Sequence, residues 1–146
     1  MDFIDWKEVA KRELRLYPHL KDSIKTLRDE IQRIEEEKTS LRSISDSPSV
    51  QGGTSTAEDR LNNLIVKADA LKKNQHEAQA EVQAVEESLR RLTKIERQVV
   101  GQFALNRSSV AVENLISAIG YERTQIYKIW DQAVRKFVAA RYGKIV

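Results

Sequence analysis

Apolar residues return along this chain with a helical period, in several stretches separated by turn-forming residues. In the first, FIDWKEVAKRELRLY at residues 3–17, Phe3, Trp6, Ala10 and Tyr17 fall roughly in line, as on a short amphipathic helix. Pro18 then marks a boundary or kink. The residue before a proline is pushed out of the α region, while proline itself suits the first turn of a following helix. From Leu20 a seam of Ile24, Leu27, Ile31, Ile34, Lys38 and Leu41 advances by alternate steps of four and three, a heptad pattern with one polar member. A second seam keeps the same steps from Leu61 through Leu64, Ala68, Leu71, Gln75, Ala78, Val82, Val85 and Leu89 to Leu92, with neither glycine nor proline inside it.

Between the seams, residues 44–57 concentrate Ser, Thr, Pro and the Gly52-Gly53 pair without periodicity, which predicts a loop. It has no lysine-serine ending and no preceding strand, so a linker explains it better than a phosphate-cradling loop. The two seams fit an antiparallel hairpin closed by this loop, or pairing with a second copy of the chain. A two-helix seam is a thin core, and dimerisation is expected to add burial.

Beyond the second seam, Thr93 and Glu96 have the spacing of a capping box, and Ile95, Val99, Val100, Phe103 and Leu105 supply a further apolar helix. Asn106, Arg107, Ser108 and Ser109 form a polar connection. Val112, Leu115, Ile116 and Ile119 then recur on one helical face, and Gly120 stops that helix with a residue free to take positive φ. Tyr121 plugs the turn, and the next helix begins near Glu122. On it Ile126, Ile129, Trp130, Ala133 and Phe137 make an inner stripe, and Thr124, Lys128, Asp131, Gln132 and Arg135 lie on the free side. A short apolar helix, one glycine and a longer amphipathic helix have the spacing of a helix-turn-helix. The expected fold is all-α: an N-terminal helix and first arm (1–43), a Ser/Gly-rich loop (44–57), a second coiled-coil arm (58–92) and a helix-turn-helix domain (93–146).

Composition narrows the chemistry. Charged residues make up 32% of the chain and aromatics 6%, a balance that favours long solvated helices. The absence of cysteine removes disulfides, thiolate nucleophiles and the common zinc sites, and fits a cytoplasmic compartment. His19 and His76 stand among charged residues at helical spacing and read as surface groups. Without paired histidines, a nucleotide loop or a carboxylate cluster, the chain is expected to be no enzyme and to need no cofactor or metal. No long apolar run predicts a signal peptide or membrane span.

Charge is distributed unevenly. Residues 1–43 carry ten basic and ten acidic side chains, 44–56 only Asp46, and 57–91 six basic against seven acidic. From Leu92 onward nine basic side chains face four acidic ones, so the net charge of +3 arises around the helix-turn-helix pattern, as phosphate neutralisation requires. An ordinary helical corner with a solvated polar face contains similar residues, but turn, stripe and charge together favour double-stranded DNA.

The run LTKIERQVVGQF followed by VENLISAIGYERTQIYKIWDQAVRKF resembles region 4 of bacterial sigma factors, through Leu92, Glu96, Arg97 and Val99, then Ile119-Gly120, then Ala133 to Phe137. YPHLKDSI, the serine-rich loop ending in Gly52-Gly53, EDRLNNLIVKADAL and GYERTQIYKIWDQAVRKFVAARYG extend the likeness over nearly the whole chain. In these features the chain is similar to the ArpU/RinA-like family of small phage and prophage transcriptional regulators of low-GC Gram-positive bacteria. The resemblance implies late-gene regulation at a promoter in the bacterial cytoplasm, with possible contact to host RNA polymerase. It places Arg123, Thr124, Gln125 and Lys128 at base-reading positions, where arginine suits guanine, glutamine suits adenine and threonine suits a thymine methyl. Arg107, Ser108, Arg135 and Lys136 are the expected phosphate contacts. Two departures stand out: Glu122 occupies a position where sigma-type motifs place a capping Ser or Thr, and Ile116 one where many helix-turn-helices place alanine.

Three functions are compatible with these features: a DNA-binding regulator acting as a homodimer, a small-terminase-like DNA-packaging subunit, and a coiled-coil module that binds RNA polymerase or another protein. The first is the leading expectation.

Overall fold

Asp5 opens the first helix: its carboxylate accepts the Glu8 backbone N–H at 3.1 Å, satisfying one of the donors a helix start leaves unpaired. The computed structural model describes residues 3–45 and 54–146, and every regular element among them is helical. Helix α1 spans Trp6–Ser45, α2 Thr54–Leu89, α3 Lys94–Val100, α4 Ala111–Ile119 and α5 Arg123–Tyr142, with a π-helical turn at Gly101–Leu105. Both long helices extend into the expected loop, α1 to Ser45 and α2 from Thr54, while α2 ends at Leu89, short of the seam's last member Leu92, and Gly52-Gly53 lies outside the described residues.

Of the two alternatives expected at Pro18, a helix boundary does not occur, since proline lies inside α1. An interior proline removes one backbone hydrogen bond and crowds the carbonyl four residues earlier, at a cost of about 3 kcal/mol. That earlier residue, Leu14, is completely buried, and the Tyr17 hydroxyl donates to Glu86 of α2 at 2.7 Å. Packing of the turn that precedes Pro18 thus holds α1 together where local propensity would end it.

The described residues divide into two compact units, one within Met1–Leu20 and Glu81–Val146, the other within Lys21–Ala80. In the latter, the heptad pattern is visible as burial. Ile34, Leu41, Ala68 and Ala78 are buried, while Ile24, Leu27, Ile31, Leu61, Leu64, Leu71 and Gln75 are half-buried. Three ion pairs join α1 to α2 within one chain: Arg60 to Glu37 at 3.8 Å, Lys67 to Glu30 at 3.6 Å and Lys72 to Glu35 at 3.1 Å. The polar seam member Lys38 is only 7% exposed and also donates to Glu35, at 3.1 Å. Lys38 and then Lys72, both bonded to Glu35, hold its carboxyl below the usual range. Buried ammonium and exposed ammonium therefore share one carboxylate, which satisfies the charge that the seam covers.

The other unit is built around α5. Ala133, Val134, Phe137 and Val138 are fully buried in one cluster with Ala10 and Leu14 of α1, Val85 of α2, and Leu92, Val100 and Ala104. A second cluster joins Val99 of α3, Val112 and Leu115 of α4 and Ile126 of α5, and Trp130 packs against both. Residues 3–20, assigned by sequence to the N-terminal arm, thus contribute here to the core around the C-terminal helices. The buried stripe on α1 is Trp6, Ala10, Leu14 and Tyr17; Phe3 precedes the helix and is 89% exposed, so it does not belong to the stripe. The end of α5 is tied to α1 by Glu13, which accepts from Arg141 at 2.7 Å and from the Tyr142 hydroxyl at 2.8 Å. Burial, and then the Glu13 bond, push the Tyr142 hydroxyl well above the ordinary phenol range.

Both tryptophans of the chain, Trp6 and Trp130, lie in this unit, so their fluorescence reports on it selectively. Leu14→Ala should lower its stability to denaturant by about 2 to 5 kcal/mol, the cost of truncating a buried leucine. An unchanged tryptophan-detected midpoint would show that α1 is not part of this core.

Candidate nucleic-acid interface

Thr93 and Glu96 make the reciprocal bonds their spacing predicts. The Glu96 N–H donates to Thr93 Oγ1 at 3.2 Å, and Glu96 Oε1 accepts the Thr93 N–H at 2.8 Å, so α3 begins afresh after α2 ends at Leu89. Glu96 is 4% exposed, and its Oε1 also accepts from Lys136 Nζ at 2.9 Å. Burial pushes this carboxyl up, but the Thr93 backbone, Lys136 and the Thr93 side chain outweigh it and hold Glu96 below the usual range. Its second oxygen, Oε2, is buried without a hydrogen-bond partner. Lys136, expected at a phosphate, is therefore engaged with the buried start of α3.

The π-helical turn closes with the Asn106 N–H donating to the Gly101 carbonyl at 2.7 Å. Within it, Phe103 stacks on Trp130 with ring centres 5.1 Å apart and lies 5.7 Å from the Tyr127 ring. In the connection that follows, Arg107 is exposed, and Ser108 Oγ accepts the Val110 N–H at 3.2 Å. This orders the approach to α4.

Gly120 ends α4 in the left-handed region, at φ 82°, with its N–H on the Ile116 carbonyl at 2.9 Å. An L-residue with a Cβ is disfavoured at that φ, which is the physical reason for glycine here. Val112 and Leu115 are buried and Ile119 half-buried, but Ile116 is 37% exposed and lies outside the inner face to which its spacing assigned it. It follows Leu115 by about 100° around the helix, enough to carry it to the margin of the stripe.

On α5 the expected inner stripe is present: Ile126, Ala133 and Phe137 are fully buried, and Ile129 and Trp130 half-buried. The outer side presents Arg123, Thr124, Gln125 and Lys128, all exposed, near the N-terminal end of the helix. Two of the four already have partners. Arg123 contacts Glu113 of α4 at 3.3 Å, an exposed pair that solvent screens and that costs little to open. Gln125 accepts the Glu122 N–H through its side-chain oxygen at 3.2 Å, so in place of Ser or Thr the helix start is capped by Glu122 backbone and Gln125 side chain. The amide oxygen has a second lone pair, so Gln125 keeps both donor and acceptor capacity.

Further along α5, Arg135 forms the expected pair with Asp131 at 2.7 Å and also donates to the Val146 carbonyl at 2.6 Å. Asp131 accepts in addition from Lys7 of α1 at 2.9 Å. Lys7, then Arg135, hold its carboxyl below the usual range. The structure therefore leaves Arg123, Thr124, Gln125 and Lys128 exposed in the first turns of α5, keeps Arg107 and Ser108 on the connection before α4, and pairs Arg135 and Lys136 with groups of the same chain. Lys7 was not singled out by its local sequence; only the packing of α1 beside α5 brings it to Asp131. Among the described residues, no group of three or more His, Asp or Glu comes together as a metal site would require, and no helix is long and apolar enough to cross a membrane.

Because the folded state holds Glu96 below the 4.5 of a free carboxyl, it contributes stability above about pH 4.5 that is lost as pH falls through the folded value. Glu96→Gln should cost about 1 to 3 kcal/mol at neutral pH, the worth of hydrogen bonds to a charged group, and flatten the acid limb of the stability curve. Denaturation at several pH values checks this; an acid limb unchanged in the variant would assign it to other carboxylates. Comparison with family models, with curated proteins and with solved structures found no match, so the reading of this surface rests on its own geometry and charge.

Proposed function

We propose that this chain is a DNA-binding transcriptional regulator in which α4, Gly120 and α5 form a helix-turn-helix and the N-terminal end of α5 reads base edges in the major groove. The observation that carries the reading is the two-sided character of α5. Its inner face is fixed by fully buried Ile126, Ala133, Val134 and Phe137, while Arg123, Thr124, Gln125 and Lys128 stand exposed on one edge at its start. A recognition helix needs both properties, a rigid back and a polar leading edge. Arg123 serves as the bidentate guanine donor once released from Glu113, Lys128 reads base edges beside it, and Arg107 acts as a cation toward the backbone.

In the same reading, the long helices form an antiparallel hairpin. Support comes from Arg60 meeting Glu37 while Lys67, further along α2, meets Glu30, earlier in α1. The half-buried seam positions Ile24, Leu27 and Ile31 leave apolar surface for a second hairpin, and a homodimer would present two recognition helices to a two-fold operator. The likeness to ArpU/RinA-like regulators points to late-gene promoters of a phage or prophage as the target.

Footprinting on the DNA that encodes the chain would locate the operator, and light scattering on the same sample would give the number of copies. Arg123→Ala and Lys128→Ala should each weaken operator binding about ten- to hundred-fold, corresponding to about 1 to 3 kcal/mol for a good contact, with helicity unchanged by circular dichroism. Specific binding retained at full strength in both variants would overturn the assignment. A large ring in solution would instead favour a DNA-packaging subunit.

A further inference from the structure

We propose that α1 is itself part of the DNA-contacting surface, and that Lys11 and Arg15, together with Arg107, clamp a duplex phosphate backbone in the cleft beside the start of α4. This rests on the DNA-binding reading and adds to it a helix outside the α4 and α5 pair.

Lys7, Lys11, Arg15 and His19 recur every fourth residue, which stacks them along one side of α1. Lys7 is held by Asp131, but the next two line a cleft of about 560 Å³ whose other wall carries Arg107. Lys11 keeps a contact with Glu8 at 3.3 Å. Arg15 and Arg107 are exposed, and no acidic side chain lines the cleft among the described residues. Hydroxyl-bearing Ser108 and Ser109 add hydrogen-bonding groups, and α4 begins at the same rim without a side-chain cap, leaving the positive end of its dipole there. A smaller hollow of about 340 Å³ continues past Arg15, His19 and Arg107.

Cations from two segments far apart in sequence, facing one open cleft whose described lining holds no acidic side chain, complement an extended polyanion. A small phosphate compound would be better held by buried donors, and here the arginines are exposed. Phe103 and Trp130 in the cleft already stack on each other, which favours a paired duplex over an unpaired strand that needs free ring faces. Tyr127, also in the lining and 47% exposed, stands beside Lys128 and one turn from Thr124 on α5, so the cleft adjoins the base-reading edge.

The test is the salt dependence of binding to a random-sequence duplex, and to one of its single strands, for the wild-type protein and for two double variants. Lys11→Gln with Arg15→Gln removes the two α1 cations from the cleft. Arg90→Gln with Arg91→Gln removes the same charge from a separate hollow that also contains Glu87. With each phosphate contact contributing about 0.9 to the slope of log K against log salt, the cleft pair should reduce the duplex slope by about 2 and the control pair should leave it unchanged, both with wild-type helicity. A wild-type slope in the cleft pair, an equal reduction in both pairs, or an effect confined to the single strand would overturn the clamp while leaving DNA binding in place. Failure of the wild-type protein to bind any duplex would overturn the clamp and the DNA-binding reading together.

Discussion

Phe137 and its neighbours on α5 can leave water only if other segments come to cover them, and much of the structure follows from that requirement. Ala133, Val134, Phe137 and Val138 have no exposed surface, and the groups clustered with them come from α1, from the end of α2 and from the residues between Leu92 and Ala104. A helix buried along one face by several partners has little freedom to rotate or slide, because any movement would open voids in a close-packed interior. The polar edge of α5 is consequently positioned by the apolar groups behind it.

Polar bonds inside the same unit set the register of those contacts. Glu96 caps α3 and receives Lys136, so a single carboxylate connects the start of one helix to the middle of another. Glu13 does the same between α1 and the end of α5 through Arg141 and Tyr142. Both are charged groups removed from water, and such groups are tolerated where hydrogen bonds replace the lost hydration. Through the first of them Lys136, basic and close in sequence to the candidate DNA edge, is bonded to Glu96.

In the unit within Lys21–Ala80 the balance differs. Most seam positions are only half-buried, and the ion pairs between α1 and α2 are solvent-screened, so each contributes little by itself. Lys38 in the seam is satisfied within its own helix, by Glu35 three residues earlier, so its bond is local to α1.

Much of this fold was legible in the chain, because helical periodicity, capping pairs and glycine stops are local properties. The seams, the Thr93 to Glu96 box, the Gly120 stop, the inner stripe of α5 and the Asp131 to Arg135 pair are all set by residues a few positions apart. What tertiary structure alone decided involves residues far apart in sequence. Pro18 remains inside a helix while Leu14 before it is buried against α5 and Tyr17 bonds Glu86 of α2. Lys136 turns toward a glutamate forty residues earlier. The four-residue rhythm of Lys7, Lys11 and Arg15 was readable as a basic row on α1, but nothing local indicated that the row would lie beside Arg107. That placement comes from the burial of Leu14 and Ala10 against α5, which brings the N-terminal helix alongside the C-terminal ones.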